Sequence, residues 1–350
     1  MKKEYVFLIL MLSVFAIAVC AIGSSVIRTS PVDTAAEFIP QHTTKGESTS
    51  SPPTSDDTVT DRVTDTEPAV TGSDPPETTE QQQPDLTPGT LKTEGGYAPS
   101  DAVINMFNDA AERFGRQIGV IAVDTVTGMT VTYNADVSFE PASIIKAVFA
   151  LYCIKQIDAG EASLDEILTY TEDDYVIGNG TIAKMGFGTE LTLYDVLRHV
   201  ILTSDNEGYY MLLRRFDRSG CDAMTSALGC STGKVAPARW PLITPRDYAL
   251  VWQEIFRYKD ESENGMMLYE MLMDVEYMHF FRDALGCEVA NKSGWNDESY
   301  NEGGVVYGDR VYILVVLTSG SYYTADKDGF NSIVRAVDAM MSEYNDQTEQ

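Results

Sequence analysis

Between Arg28 and Gly96 the chain carries nine of its fourteen prolines and a single aromatic side chain, Phe38. A stretch so poor in large apolar groups buries too little surface to offset the entropy of ordering a backbone, roughly 1–2 kcal/mol per residue. Whatever folds must lie after it. Residues 98–350 are enough for one domain with a sizeable core. The sequence thus divides into an N-terminal segment (1–27), a disordered acidic Thr/Ser/Pro-rich stalk (28–97) and a folded body (98–350). No internal repeat is visible.

The net charge is −28, of which −9 falls on the stalk and −20 on the body. An acidic body without a run of Lys or Arg is unsuited to phosphate backbones, so nucleic acid is not expected as a partner. At the N-terminus, Lys2 and Lys3 precede an uncharged apolar run, Tyr5 to Ile22, and then Gly23-Ser24-Ser25. A basic flank, an apolar centre and small residues form the pattern of a secretory signal. Counted to Ile27, the run is also long enough to cross a bilayer uncleaved. The expectation is export, either as a single N-terminal membrane anchor or as a secreted chain after cleavage. Lys2 and Lys3 then stay inside, and the body lies at the extracellular face or cell wall. Mutual repulsion of its acids keeps the stalk extended. Of the five cysteines, Cys20 is in the apolar run; Cys153, Cys221, Cys230 and Cys287 are in the body. Cys221 and Cys230 could bridge outside the cell, although spacing does not fix a pairing. There is no CxxC pair, and His42, His199 and His279 are the only histidines, so neither a metal site nor a cofactor is expected.

The body opens with a helical pattern, Ala102 to Phe114, capped by Ser100 or Asp101. Two strand-like runs follow, Gln117–Asp124 and Met129–Tyr133, joined by a turn at Thr127-Gly128. A helix from about Ser143 to Ile157 is apolar around most of its circumference, which marks it as buried. Further helices are expected over Leu193–Leu202, Glu207–Phe216, Asp222–Leu228, Pro245–Tyr258 and Gly265–Leu285. Strands return at Glu288–Ser293, Glu302–Tyr307 and Arg310–Leu317, and a helix over Gly329–Tyr344 ends the chain. Strands at both ends of a helical middle predict an α+β domain, one antiparallel sheet with helices beside it.

Ser143-Ile144-Ile145-Lys146 places a hydroxyl and an amine at i and i+3 of one helix face. The helix start favours developing negative charge, and a desolvated lysine has a lowered pKa and serves as a base. The pattern alone is weak, since Ser231-Thr232-Gly233-Lys234 also fits it. Gly229-Cys230-Ser231-Thr232-Gly233 similarly mimics a Gly-x-Ser-x-Gly nucleophile elbow. That elbow needs a strand before and a helix after, whereas a helical pattern precedes and a Pro-containing loop follows. Ser143 is distinguished by company in order. Ser204-Asp205-Asn206 lies between two helical patterns, and Lys292-Ser293-Gly294 lies on a predicted strand with two more behind it. Ser204 alone reads equally well as a helix cap.

With these three motifs the chain resembles the class A β-lactamases and the penicillin-binding proteins related to them. The resemblance runs from about Phe114 to the C-terminal helix, with support from Gly119–Asp124, Ile157–Glu161, Ile243-Thr244-Pro245 and Leu317–Gly320. It implies a five-stranded antiparallel sheet flanked by helices, plus an all-helical subdomain, with the site between them. By the same resemblance Ser143 is the acylated nucleophile, Lys146 its base or proton relay, and Ser204 the proton donor to the leaving nitrogen. Asn206 holds the substrate amide. Lys292 and Ser293 hold its carboxylate, Gly294 completes the Lys-Ser-Gly triplet, and the N–H groups of Ser143 and Trp295 form the oxyanion hole.

The chain departs from the family in several places. Class A enzymes carry Glu-x-x-Leu-Asn in the loop before the Thr-Pro helix, and that Glu positions the water that frees the acyl-enzyme. Between Cys230 and Pro245 this chain has no Glu, Asp or Asn, and the Ser204–Lys292 spacing is short, as if that loop were trimmed. Glu207 follows Asn206, but nothing in the sequence places it over Ser143. Where the family usually has a carboxylate-binding Arg, Asn301-Glu302-Gly303 stands; Arg282 could reach in from the preceding helix but reads better as a surface charge. Gly178-Asn179-Gly180 replaces an aromatic rim and implies a more open cleft. Three functions fit: a hydrolase of β-lactams or related acyl donors; a penicillin-binding D,D-peptidase acting on D-Ala-D-Ala ends of peptidoglycan stem peptides; or a non-catalytic wall-binding module.

Overall fold

The computed structural model describes residues 89–276 and 279–348. The expected signal or anchor segment and most of the stalk lie outside the described residues. Among the described residues no helix is long and apolar enough to cross a membrane.

The strands are β1 (Lys92–Glu94), β2 (Ile118–Asp124), β3 (Thr130–Tyr133), β4 (Ile167–Thr169), β5 (Glu190–Thr192), β6 (Glu288–Trp295), β7 (Tyr300–Tyr307) and β8 (Val311–Thr318). The helices are α1 (Asp101–Phe114), α2 (Ile145–Asp158), α3 (Leu193–Leu202), α4 (Asn206–Arg215), α5 (Arg218–Ala227), α6 (Pro245–Tyr258), α7 (Glu263–Met273), α8 (Phe280–Leu285) and α9 (Lys327–Thr348). The main sheet runs β1-β3-β2-β8-β7-β6, antiparallel throughout, and β4 with β5 forms a separate hairpin. The α+β class is as expected.

Alternation along the central strands divides the core. Ile121, Val123, Ile313, Val315 and Leu317 join one cluster with α2, α3, α4 and α6. Val120, Ala122, Tyr312, Leu314 and Val316 join another with α1, α8 and α9. Successive side chains leave a strand on opposite faces, so a sheet covered on both sides reads as a continuous apolar run, as Val311–Thr318 does. The buried-helix expectation also holds, with every residue from Ile144 to Ile154 of α2 and the turn before it buried.

Three expectations change. The sheet has six strands rather than five, because β1 pairs Lys92–Glu94 with Thr132–Thr130 of β3. The stalk boundary therefore moves toward the N-terminus. Tyr97 is buried against Tyr344, ring centroids 5.6 Å apart, and this aromatic anchor is hidden when composition is averaged over the whole stalk. The single helix expected over Gly265–Leu285 is two, α7 and α8. Apolar periodicity continues across the gap, but Glu276 N–H donates to Leu202 O (3.0 Å), turning the chain toward α3 and presenting Val275 to the cleft. Cys221 and Cys230 do not bridge; both are buried free thiols, as is Cys153. Cys230 Sγ instead lies 3.4 Å from Asp247 O.

Candidate active site

Ser143 lies in a 3-10 turn (Ala142–Ile144) that feeds directly into α2. Its N–H is thus at a helix start, where amides have no intrahelical acceptor. Ala142 holds φ +46° and Ser204 φ +55°; with Asn134 they are the non-glycine residues at positive φ among those described. Such conformations cost on the order of 1–3 kcal/mol each and persist where neighbours over-determine them. Both flank the nucleophile.

Ser143, Lys146, Ser204 and Lys292, four of the residues expected to act on a substrate, meet here. Lys146 is fully buried, and its Nζ lies 2.5 Å from Ser204 O, 2.6 Å from Asn206 Oδ1, 3.1 Å from Ser143 Oγ and 3.3 Å from Ser204 Oγ. The two shortest contacts are to oxygens that only accept, so a neutral amine at this point would spend both of its N–H groups on them. The third tetrahedral position then faces Ser143 Oγ, a hydroxyl that can donate to the lone pair. Burial, and then the charge of Lys292, hold the Lys146 pKa well below the usual lysine value. Lys292 donates from Nζ to Ser204 Oγ (2.9 Å) and Ser293 O (3.1 Å), and burial brings its pKa down to about 7. Ser204 Oγ therefore bridges two lysines.

The strand β6 reaches this point by its alternation. Ala290, Lys292 and Gly294 share the face turned to the helical side, and β6 runs alongside the Ser143 turn. A Cβ on Gly294 would lie 2.5 Å from Ser143 N and 2.8 Å from both Ile144 N and Pro141 O. Only glycine allows that approach of two backbones. Gly294→Ala is therefore expected to slow acylation at least tenfold and to lower stability by about 1–3 kcal/mol, the range for overpacking. Acylation kinetics and thermal melts check this; a native rate would show that the β6–turn spacing is not needed.

Several further residues, to which the sequence assigns no role in the site, support it. Asn301, fully buried, donates from Nδ2 to Glu140 O (2.7 Å) and Pro141 O (3.2 Å) and accepts at Oδ1 from Thr318 N (2.8 Å). Glu140 Oε2 accepts from Ala142 N, Asn296 Nδ2 and Ser299 Oγ at 3.0, 3.0 and 2.6 Å. Together they latch the nucleophile's turn to the β6–β7 hairpin. Asp205 caps α4 through Gly208 N (2.9 Å) and also takes Thr181 N (2.5 Å) and Ile182 N (2.9 Å), pinning the 178–182 loop onto the Ser204-Asp205-Asn206 corner. Asn206 N donates to Asn179 O (2.8 Å), and a Cβ on Gly178 would strike Asn206 Nδ2 at 2.0 Å. The glycines expected to open the rim thus serve close packing.

The cleft between β6 and this loop has a volume of about 750 Å³ and is lined by Ser143, Asn179, Ser204, Asn206, Lys292, Ser293 and Gly294, among others. Its apolar rim comes from Ile177, 87% exposed, on one side and Trp295 with Tyr323 on the other. Trp295 packs on Tyr322 (4.7 Å) and edge-on to Tyr323 (5.6 Å). Glu302 turns away from the cleft. It is fully buried and accepts from Phe281 N (2.6 Å) and Asn291 Nδ2, and burial raises its pKa well above the carboxylate range. Arg282 is not a surface charge; it donates to Met273 O (3.0 Å) and Val289 O (3.1 Å).

The decoy motifs have structural work. Asp247 Oδ2 accepts from the N–H and hydroxyl groups of both Ser231 and Thr232 at 2.6–3.2 Å. Lys234 Nζ donates to Cys230 O (3.1 Å), Asp222 O (3.3 Å), Thr225 Oγ1 (3.0 Å) and Ser226 Oγ (2.9 Å), closing the end of α5. In the trimmed loop, the group facing Lys146 is Trp240, its ring centroid 5.7 Å from Nζ and 5.1 Å from the Tyr209 ring.

The family model described as "Beta-lactamase enzyme family" matches residues 102–340. A β-lactamase of Amycolatopsis lactamdurans is 30% identical over 132 residues, 37% of this chain and 43% of that protein. A β-lactamase of Streptomyces fradiae is 25% identical over 252 residues, 65% of this chain and 81% of that protein. The matched stretch thus spans about two-fifths of the first relative's length. Among solved structures, a β-lactamase from Sphaerobacter thermophilus aligns with a TM-score of 0.61 at 23% identity, over 69% of this chain and 97% of that one. PBP-A aligns with a TM-score of 0.59 at 18% identity, over 66% of this chain and 94% of that one. These last two likenesses are of fold. The family match covers more than half of the chain and contains Ser143, Lys146, Ser204 and Lys292, so the protein belongs to the β-lactamase enzyme family, with the hydroxyl and amine groups of a serine-type site at its cleft.

Proposed function

We propose that the protein is a serine hydrolase whose Ser143 takes the acyl group of a β-lactam or a related acyl donor. The observation that carries this is the continuous chain Ser143 Oγ–Lys146 Nζ–Ser204 Oγ–Lys292 Nζ, with links of 3.1, 3.3 and 2.9 Å. The Ser143 proton passes to neutral Lys146 as Oγ attacks the carbonyl carbon, and the resulting oxyanion sits at the Ser143 and Trp295 amides. The C–N bond then breaks as a proton returns through Ser204 to the leaving nitrogen. Lys292 and Ser293 bind the substrate carboxylate, and Asn206 its amide. Since Lys292 in the free protein loses its charge near pH 7, carboxylate binding weakens above that pH.

The test is intact mass against time for the full chain with excess benzylpenicillin. The expected result is a covalent adduct, absent in Ser143→Ala and retained in Ser231→Ala. Labelling that persists in Ser143→Ala rejects the site.

One observation favours the D,D-peptidase-like reading for the fate of that adduct. No carboxylate comes from the loop before α6, and Trp240 lies near Lys146 in its place. On that reading the adduct is long-lived; rapid turnover with a transient adduct selects the β-lactamase reading. The absence of any adduct or turnover points to another acyl donor or to a binding module. The N-terminal apolar run and acidic stalk support placement outside the membrane, where peptidoglycan ends are found.

A further inference from the structure

Asp205 and Glu207 converge from the start of α4 on one point. A Cβ on Gly180 would lie 2.5 Å from Glu207 Oε2 and 2.8 Å from Asp205 Oδ1. Glu207 is 2% exposed and Asp205 fully buried. The nearby donors Thr181 N, Ile182 N and Gly208 N all go to Asp205, and Glu207 Oε2 has no hydrogen-bond partner. A buried carboxylate oxygen left without a donor is costly. A proton on that oxygen removes the cost, because the resulting hydroxyl donates to the neighbouring Asp205 carboxylate.

We propose that Glu207 is a positioning residue that carries a proton at rest and thereby keeps Lys146 a neutral amine able to deprotonate Ser143. This rests on the acyl-transfer reading of the same site and does not bring Glu207 into contact with substrate. Ionised, Glu207 would add a second negative charge beside Asp205 and favour Lys146 as an ammonium, which has no lone pair for the Ser143 proton. Protonated, it leaves Asp205 and the opposing Lys292 as the charges facing Lys146. The other groups around Glu207 do not supply the proton's partner. Tyr170 lies buried on the side of the 170–182 segment, Asp174 is held by Arg214 (2.8 Å), and His199 on α3 bonds to Thr181 Oγ1 (2.9 Å). Burial, with Asp205 beside it, pushes Glu207 up to about 7, in keeping with this role.

Glu207→Gln keeps the shape and a donor toward Asp205 but cannot ionise. With the full chain, the second-order rate of acylation by benzylpenicillin is measured from pH 5 to 9. The variant fixes the uncharged state that native Glu207 holds below about pH 7, so its rate is expected to follow the native rate there and to exceed it severalfold above, where ionised Glu207 favours the Lys146 ammonium. Profiles that stay parallel above pH 7, whatever the difference in plateau rate, reduce Glu207 to a packing residue and overturn the proposal. A second readout needs no acyl donor. Glu207 has a folded pKa above its unfolded value, so its contribution to stability is fully present below about pH 4.5 and is lost as pH rises to about 7. The native melting temperature should therefore fall more steeply than that of the variant between those values. Parallel curves overturn the proposal even if penicillin never reacts, whereas a missing adduct with diverging curves rejects only the β-lactam reading.

Discussion

Lys146→Ala is expected to slow acylation by benzylpenicillin about 10²–10⁴-fold, the usual contribution of a positioned base. The reason is geometric before it is electrostatic. Ser204 O and Asn206 Oδ1 hold Nζ at 2.5 and 2.6 Å and leave one direction open, toward Ser143 Oγ at 3.1 Å. Lys146→Arg should be equally slow, because a guanidinium stays protonated and cannot take the serine proton. In the native protein the acid limb of acylation should lie below the ordinary lysine range, since burial and Lys292 both disfavour charge on Lys146. Rapid mixing with a chromogenic cephalosporin over a range of pH measures both effects. A loss of less than tenfold in Lys146→Ala would move the base elsewhere.

The second large effect is on stability. Asp205→Ala removes the cap of α4 and leaves Thr181 N and Ile182 N without their acceptor in the interior. A lost cap costs about 0.5–2 kcal/mol and each orphaned buried donor about 1–3 kcal/mol, so a loss of about 3–8 kcal/mol is expected. For a body of this size that is a drop of on the order of 10 °C in Tm. Asp205→Asn, which retains a carbonyl acceptor, should lose less. Calorimetry of both variants checks this, and Asp205→Ala within 1 kcal/mol of native would mean that the 178–182 loop is held by other contacts. The same substitution frees that loop from the Ser204 corner, so acylation should fall with stability.

Much of the molecule was legible before folding. The boundaries of α3 and α6, Leu193–Leu202 and Pro245–Tyr258, follow from apolar periodicity and, for α6, from the Thr244 cap with Pro245 at the first helical position. The burial of α2 follows from its lack of a polar face. The three motifs locate Ser143, Lys146, Ser204 and Lys292 because each is a short local pattern at an element boundary, where local chemistry is strongest. β1 escaped notice for the opposite reason. Three residues in a polar context carry no periodicity, and their pairing with β3 is made by backbone groups that every sequence possesses.

What the sequence determined by itself is the α+β class and the three short motifs that carry Ser143, Lys146, Ser204 and Lys292. What only the tertiary structure decided is the environment of those side chains. Residues from α2, the α3–α4 corner and β6 come within hydrogen-bond distance only after the sheet and helical side pack together. Burial then removes the water that would otherwise screen them, and this lowers the pKa of Lys146 and Lys292 and raises that of Glu207. Asn301, Glu140 and Glu207 acquire their places in the same way. Nothing local marks an asparagine that will hold two carbonyls some 160 positions away, or a glutamate whose neighbours will all donate to another acid.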